Sequence, residues 1–217
     1  MTFSTNLAEM LGAVLLLCAF LQISQLRLRG MVMLGRIGSV AVAGVAVGQG
    51  VAGRDSVFYG LALLIMVVQV LALPWLLIRK AKPPTLSGLL RRAVSTPLSL
   101  IIGLLPVGLA VLALSSIGQA QGAPHIGVAE TGILVMALSV IVLGVWLVVI
   151  YRPRFAQMVG VMTLENGLIL ALLTMQGMGW VALIAVAALQ MAGASLIWLG
   201  GLSPEAPVRL ETGGASL

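Results

Sequence analysis

Charged residues are scarce in this chain: they make up 8% of its 217 residues, whereas 60% are hydrophobic. A soluble domain of ordinary composition carries about 25% charged residues. There is too little polar side chain here to cover a globule in water, so lipid is expected to be the solvent for most of the chain. The net charge of +6 does not predict nucleic-acid binding, because the basic residues lie in short stretches between apolar runs.

Cysteine and histidine are nearly absent as well. Cys18 lies within an apolar run and His125 is the lone histidine, so the sequence predicts neither a disulfide framework nor a metal cluster. No basic residue precedes the first apolar stretch, which has the full length of a span, and this argues against a cleavable signal peptide. The sequence also lacks a nucleophile–base pair and a phosphate-binding loop. We therefore expect no catalytic site and no cofactor in this chain.

What the chain has instead is a series of apolar stretches of about 20 residues, the length that a helix needs to cross the hydrocarbon core. They predict an all-α fold, a polytopic integral membrane protein with about seven transmembrane helices. We expect residues 1–202 to form a single transmembrane domain and residues 203–217 to form a cytoplasmic tail. The predicted spans are 6–26, 33–53, 56–78, 95–117, 129–150, 156–176 and 178–200.

The basic residues predict an orientation, because short loops rich in Lys and Arg remain in the cytoplasm. With seven spans, eleven of the 12 Lys and Arg residues fall on one side and Arg54 alone falls on the other. The N-terminus is therefore expected outside and the C-terminus in the cytoplasm. The eleven residues are Arg27, Arg29, Arg36 (taken to lie just inside the second span), Arg79, Lys80, Lys82, Arg91, Arg92, Arg152, Arg154 and Arg209.

Glu165 is the candidate functional residue, because it lies in the middle of the predicted span 156–176. A charge in hydrocarbon costs several kcal/mol, and ionisable residues at such depth mark ion paths or buried pairs. A carboxyl in this setting is suited to take up and release protons; the alternative is a permanently protonated acid that bonds neighbouring helices. Asn166 offers a further hydrogen bond and Gly167 a close helix approach. Glu9 is nearer a span end and is expected to be hydrated.

Two glutamines lie within other spans. Gln69 precedes Pro74, which is expected to kink the third span, and Gln190 lies midway through the last. Neither amide can carry charge, but both can hold water or a partner side chain. Glu165, Asn166, Gln69 and Gln190 are the residues that we predict to form a proton relay.

The stretch from Arg154 to Gly167, which includes Glu165, resembles component E of the hydrogenase-4 and formate hydrogenlyase group. The run from Gln69 to Trp75 is similar to the third-span motif of that family, which precedes a proline. The number of predicted spans and the length of the chain also fit, so the resemblance covers essentially the whole protein.

The resemblance implies a subunit of the membrane arm of a redox complex related to respiratory complex I. The three C-terminal spans, residues 129–200, resemble component K of complex I and component C of multi-subunit cation antiporters. The implied partners are antiporter-like subunits, a protein similar to component H of complex I, and a peripheral arm of hydrogenase and iron–sulfur subunits. The implied location is the bacterial cytoplasmic (inner) membrane. Glu165 corresponds to the buried glutamate of the family, on the polar axis along which protonation is relayed.

Two positions depart from the family pattern. The family usually has a lysine where this chain has Gln69, and an acidic residue where it has Gln190. Both replacements remove a titratable group and keep hydrogen-bonding capacity, so a relay through these points would depend on water.

Three functions remain open from the sequence. The chain is a non-catalytic membrane-arm subunit that helps to couple electron transfer to proton translocation, a subunit of an antiporter-like assembly without a hydrogenase, or a structural membrane anchor in which Glu165 only joins helices. Neighbouring genes would separate the first two functions, since hydrogenase and iron–sulfur subunits favour the first and antiporter subunits alone favour the second. Proton transport after Glu165→Gln would distinguish the third from both, and copurification of partners would be the most informative single experiment.

Overall fold

The computed structural model describes residues 2–25, 27–53, 55–80, 128–151, 153–174 and 179–202, together with four single positions between residues 101 and 112. A π-helical stretch, Met66–Ala72, joins two of the helices and is called the π segment below. The helices are α1 (Thr2–Ser24), α2 (Leu28–Gly53), α3 (Ser56–Ile65), α4 (Leu73–Lys80), α5 (Val128–Ile150), α6 (Arg154–Thr174) and α7 (Gly179–Leu202).

The all-α prediction is confirmed for the described residues, but the number of spans is not. They contain 5 helices long and apolar enough to cross a membrane, rather than seven. These are Asn6–Ser24, Leu28–Gly53, Ser56–Arg79, Thr131–Ile150 and Arg154–Thr174. Ser56–Arg79, which runs through α3, the π segment and α4, is called the third span below.

The two remaining predicted spans are only partly described. In the last one, α7, the described apolar part is Trp180–Ser195, which is shorter than a span. The structure describes only four helical positions of the predicted fourth span, 95–117. The connection 118–127 and the tail 203–217 lie entirely outside the described residues.

The interior of the bundle is mostly apolar but contains several polar side chains, and large apolar side chains also cover its outside. Large apolar residues on its periphery are exposed, among them Met10 (70%), Leu63 (66%) and Met191 (73%). The buried polar residues are Gln22, Ser39, Gln69, Ser139, Thr163, Glu165, Asn166 and Gln190. In water this distribution would expose apolar surface while burying hydrogen-bonding groups, so the chain is a multi-pass membrane protein whose outer surface faces lipid.

α5 and α6 pack closely through three glycines. A Cβ atom added to Gly144 would lie 2.5 Å from the Leu164 backbone nitrogen, and one added to Gly167 would lie 2.8 Å from the Ile141 backbone nitrogen. At Gly160 the same atom would lie 2.9 Å from the Val148 backbone nitrogen. Positions further along α6 meet positions further back along α5, so the two helices are antiparallel. Small residues allow this backbone approach, which favours helix association in lipid.

α2 and α6 occupy the centre of the described bundle. α1 packs against α2 and α5, whereas α2 also packs against the third span and α6. α7 packs against α6 and the third span. Because α6 contacts helices on several sides, it is the most deeply buried of the five spans. The buried polar residues of α6, which are Thr163, Glu165 and Asn166, are therefore held away from lipid.

Tyr151, in the short connection from α5 to α6, stabilises the end of α1. Its side chain is fully buried, and its hydroxyl donates a hydrogen bond of 2.7 Å to the Gln25 carbonyl oxygen. The carbonyl oxygens of Gln22 and Ile23 lie 3.2 Å and 3.3 Å from the same hydroxyl. The last carbonyls of a helix have no N–H partner within it, so an O–H donor at this point satisfies one of them.

Candidate functional site

Glu165 lies in the middle of α6 and is only 3% exposed. It follows the first residue of α6 by 11 positions, which is about 16 Å along the helix axis and about half of the hydrocarbon thickness. Its neighbours on the surrounding helices therefore decide whether this carboxyl is isolated or hydrogen-bonded.

Gln69 of the π segment is the hydrogen-bonding partner of Glu165. The Nε2 atom of Gln69 donates to Oε2 of Glu165 at 3.4 Å, a long bond between two buried groups. The Oε1 atom of Gln69 has no hydrogen-bond partner among the described residues. The amide therefore keeps one free acceptor beside the carboxyl.

Gly193 of α7 packs against the carboxyl of Glu165. A Cβ atom added to Gly193 would overlap Oε1 of Glu165 and would lie 3.2 Å from its Cδ atom. Gln190 precedes Gly193 by 3 residues and therefore lies on the same face of α7, one turn away. Within the described part of the chain, neither polar atom of the buried Gln190 side chain has a hydrogen-bond partner.

Asn166 faces another helix than Glu165, because adjacent residues of an α-helix point about 100° apart. Its Nδ2 atom donates to Ser39 Oγ on α2 at 3.1 Å. The Ser39 hydroxyl lies 3.2 Å from Asn166 Oδ1 and 3.0 Å from the Gly35 carbonyl oxygen, and it can donate to either. One turn earlier on α6, the Thr163 hydroxyl donates to Gln22 Oε1 on α1 at 2.6 Å.

Arg36 lies on α2 and contacts the third span. α2 begins at Leu28 rather than at residue 33, so Arg36 lies more than two turns inside the helix. It is half-buried, and its Nε–H donates to the carbonyl oxygen of Val70 in the π segment at 2.9 Å. The helix that carries Arg36 therefore begins earlier than the predicted span 33–53, and Arg36 has a specific partner in the third span.

The four residues predicted to form a relay divide into three locations. Glu165 and Gln69 are in direct contact, Gln190 lies near them on α7, and Asn166 is paired with Ser39. Ser39, Gly193 and Arg36 also belong to this region, which the sequence did not predict. Arg36 carried a signal, since an arginine within an apolar run needs a partner, whereas Ser39 and Gly193 look like ordinary small residues of a span.

The arrangement can exchange protons and hold water. Glu165 is the group that can exchange a proton, and the unpaired amide atoms of Gln69 and Gln190 are suited to bind water, as buried polar groups usually do. Among the described residues there is no group of three or more His, Cys, Asp or Glu side chains that could hold a metal ion. Comparisons with protein-family models, with curated proteins and with solved structures find no match to this chain.

Proposed function

We propose that this chain is a membrane-arm subunit of a redox complex related to complex I and to the membrane-bound hydrogenases, in which it helps to couple electron transfer to proton translocation. The full protein has seven spans in this proposal. It resides in the bacterial cytoplasmic membrane with its N-terminus outside and its C-terminus in the cytoplasm. The motif resemblance around Glu165 and Gln69 supports the type of complex, and the excess of basic residues on one side supports the orientation.

The observation that carries the proposal is a single carboxyl, Glu165, held near the middle of a lipid-embedded bundle and contacted by two other helices. Gln69 donates to one carboxyl oxygen and Gly193 leaves room for the other. A carboxyl that changes protonation needs donors and acceptors in both states, and the Gln69 amide has a donor at the carboxyl and an acceptor that is unpaired among the described residues.

Glu165 is the proton-exchanging group in this mechanism. The amides of Gln69 and Gln190 do not titrate, so they act by orienting water beside the carboxyl. A proton reaches Glu165 through water from one side and leaves through water toward the other. The electrons are transferred in the peripheral arm, and this chain contributes no redox group.

A structural role is the second candidate, and one observation favours it. Glu165 contacts both the third span and α7, so a protonated Glu165 would join three helices. Interhelical hydrogen bonds in membranes contribute about 0.6 kcal/mol on average. The two functions therefore make different demands on Glu165: the coupling role requires its exchangeable proton, whereas the structural role requires only its hydrogen bonds.

Glu165→Gln separates these functions, since glutamine preserves shape and most hydrogen bonding but removes the exchangeable proton. The measurement is the proton-to-electron ratio of the assembled complex in sealed vesicles. We expect assembly and electron transfer to persist while proton movement falls several-fold. Glu165→Ala should also lower assembly. Glu9→Gln is the matched control, because it removes a half-buried carboxyl near the start of α1.

An assembled Glu165→Gln complex with an unchanged proton-to-electron ratio would reject the coupling role and leave the structural one. Copurification tests the partners. Hydrogenase and iron–sulfur subunits in the isolated complex support the proposal, whereas antiporter-like subunits alone would assign the chain to an ion-transporting assembly.

A further inference from the structure

We propose that Arg36 and Pro74 together hold the third span in the π conformation that presents Gln69 to Glu165. Arg36 is then a positioning residue for the candidate site, and its effect on coupling rests on the function proposed above. Two features of the molecule are involved that exchange no proton themselves: an arginine within an apolar helix, and a π segment ahead of a proline.

Pro74 leaves a carbonyl of the third span without its usual partner. In an α-helix the Val70 carbonyl would accept from the backbone nitrogen four residues later, which here belongs to Pro74. Proline has no N–H, and its ring also clashes with that carbonyl. In an α-helical register the Val70 carbonyl therefore has no backbone donor, and water is scarce within a bilayer.

Arg36 supplies a donor to this carbonyl. Its Nε–H bonds the Val70 carbonyl oxygen at 2.9 Å, from a residue 34 positions away in sequence. The bond comes from α2, which packs against the π segment. An arginine at this depth is costly, although a long side chain and local hydration reduce the cost. The backbone of the third span thus gives this half-buried arginine a role: it bonds a carbonyl that proline cannot serve in an α-helix.

The conformation of the π segment determines where Gln69 points. A π turn adds a residue to the helical turn, and such turns are often found at functional sites. Within the segment, the Leu73 N–H bonds the Val68 carbonyl, five residues earlier. If the segment returned to an α-helix, its side chains would turn by about 100° relative to the flanking helix. Gln69 would then leave the carboxyl of Glu165.

Three substitutions at residue 36 isolate the Nε donor. In glutamine the Nε2 atom is as many bonds from Cα as the Nε atom of arginine, so Arg36→Gln keeps a donor and removes the charge. Arg36→Met has a methyl group at that position, with neither donor nor charge. Arg36→Lys keeps the charge but has a methylene group where the donor was. If Arg36 acts through its bond to the Val70 carbonyl, glutamine should be the only one of the three residues that keeps the Gln69–Glu165 contact.

The readout is the infrared carbonyl stretch of Glu165 in the full-length protein within its membrane complex, at a pH at which the carboxyl is protonated. Glu165→Gln identifies the band by removing it, and Gln69→Leu shows its position when the Gln69 bond is lost. We expect the wild-type band position in Arg36→Gln, and the Gln69→Leu position in Arg36→Met and Arg36→Lys.

Pro74→Ala provides the independent test, because alanine at this position supplies an N–H for the Val70 carbonyl. In this background Arg36→Met should no longer change the band, and it should assemble even if Arg36→Met alone does not. The proposal is overturned by a wild-type band in Arg36→Met, by rescue with lysine but not glutamine, or by an equal effect of Arg36→Met with and without Pro74. The band reports the Gln69 contact regardless of proton coupling, so failure of the proposed function is separately visible in the proton-to-electron ratio.

Discussion

The carboxyl of Glu165 on α6 lies directly against Gly193 on α7, in a space that any larger residue at 193 would enter. The close contact involves the end of a flexible side chain rather than backbone. The carboxyl can therefore be displaced without disrupting the packing of the two helices. A substitution at residue 193 can therefore move the carboxyl of Glu165 with little effect on the stability of the fold.

Gly193→Ala is expected to move the Glu165 carboxyl while leaving the protein folded. Alanine gains about 1 kcal/mol over glycine in helix propensity, which offsets much of an overpacking cost of about 1–3 kcal/mol. Proton-to-electron coupling should fall, whereas the thermal unfolding temperature should change little. Ser195→Ala is the control, since Ser195 is exposed on the same helix. Full coupling in Gly193→Ala would show that the position of the carboxyl does not matter.

Gly144→Ala and Gly167→Ala are expected to be much more damaging to stability, because a Cβ at either position would meet backbone atoms of the facing helix. A backbone cannot move aside as a side chain can, so we expect a loss of at least about 1–3 kcal/mol for each. Thermal unfolding of the complex would measure this loss. Gly60→Ala has nothing within 4 Å of the added atom and should be neutral or slightly stabilising. Equal effects at all three positions would contradict the close packing of α5 on α6.

Tyr151→Phe is expected to lower the free energy of unfolding by about 1–3 kcal/mol, because it removes the donor from the buried end of α1. The ring remains, so the apolar packing of this side chain is kept. Tyr59→Phe is the matched control, since Tyr59 is 45% exposed. Hydrogen exchange of the α1 C-terminal amides should rise in Tyr151→Phe alone. Unchanged exchange there would argue that the hydroxyl does not stabilise the helix end.

The proposed seven-span topology predicts opposite sides for two connections. A reporter fused after residue 86 should lie in the cytoplasm, because five basic residues cluster between residues 79 and 92. A reporter fused near residue 122 should lie outside. If both reporters were on the same side of the membrane, the stretch 95–117 would not be a span and the seven-span arrangement would fail.

The apolar stretches alone predict a helical membrane protein, and Glu165 stands out as the carboxyl in the middle of one of them. Both follow from local composition: apolar stretches of sufficient length must be helical in lipid, and an ionisable residue in the middle of such a stretch is conspicuous. The predicted span limits also agree closely with most helices, as in Val128–Ile150 for 129–150.

Which side chains meet that carboxyl depends on how the helices pack, and the sequence did not predict it. The helices are apolar around most of their circumference, so sequence periodicity does not reveal which face of a span is inside. Gln69 reaches Glu165 because a π segment changes the direction of its side chain, and Arg36 finds the Val70 carbonyl through helix packing. These contacts join residues 96 and 34 positions apart, and they depend on helix rotation and close approach, which a uniformly apolar sequence leaves open.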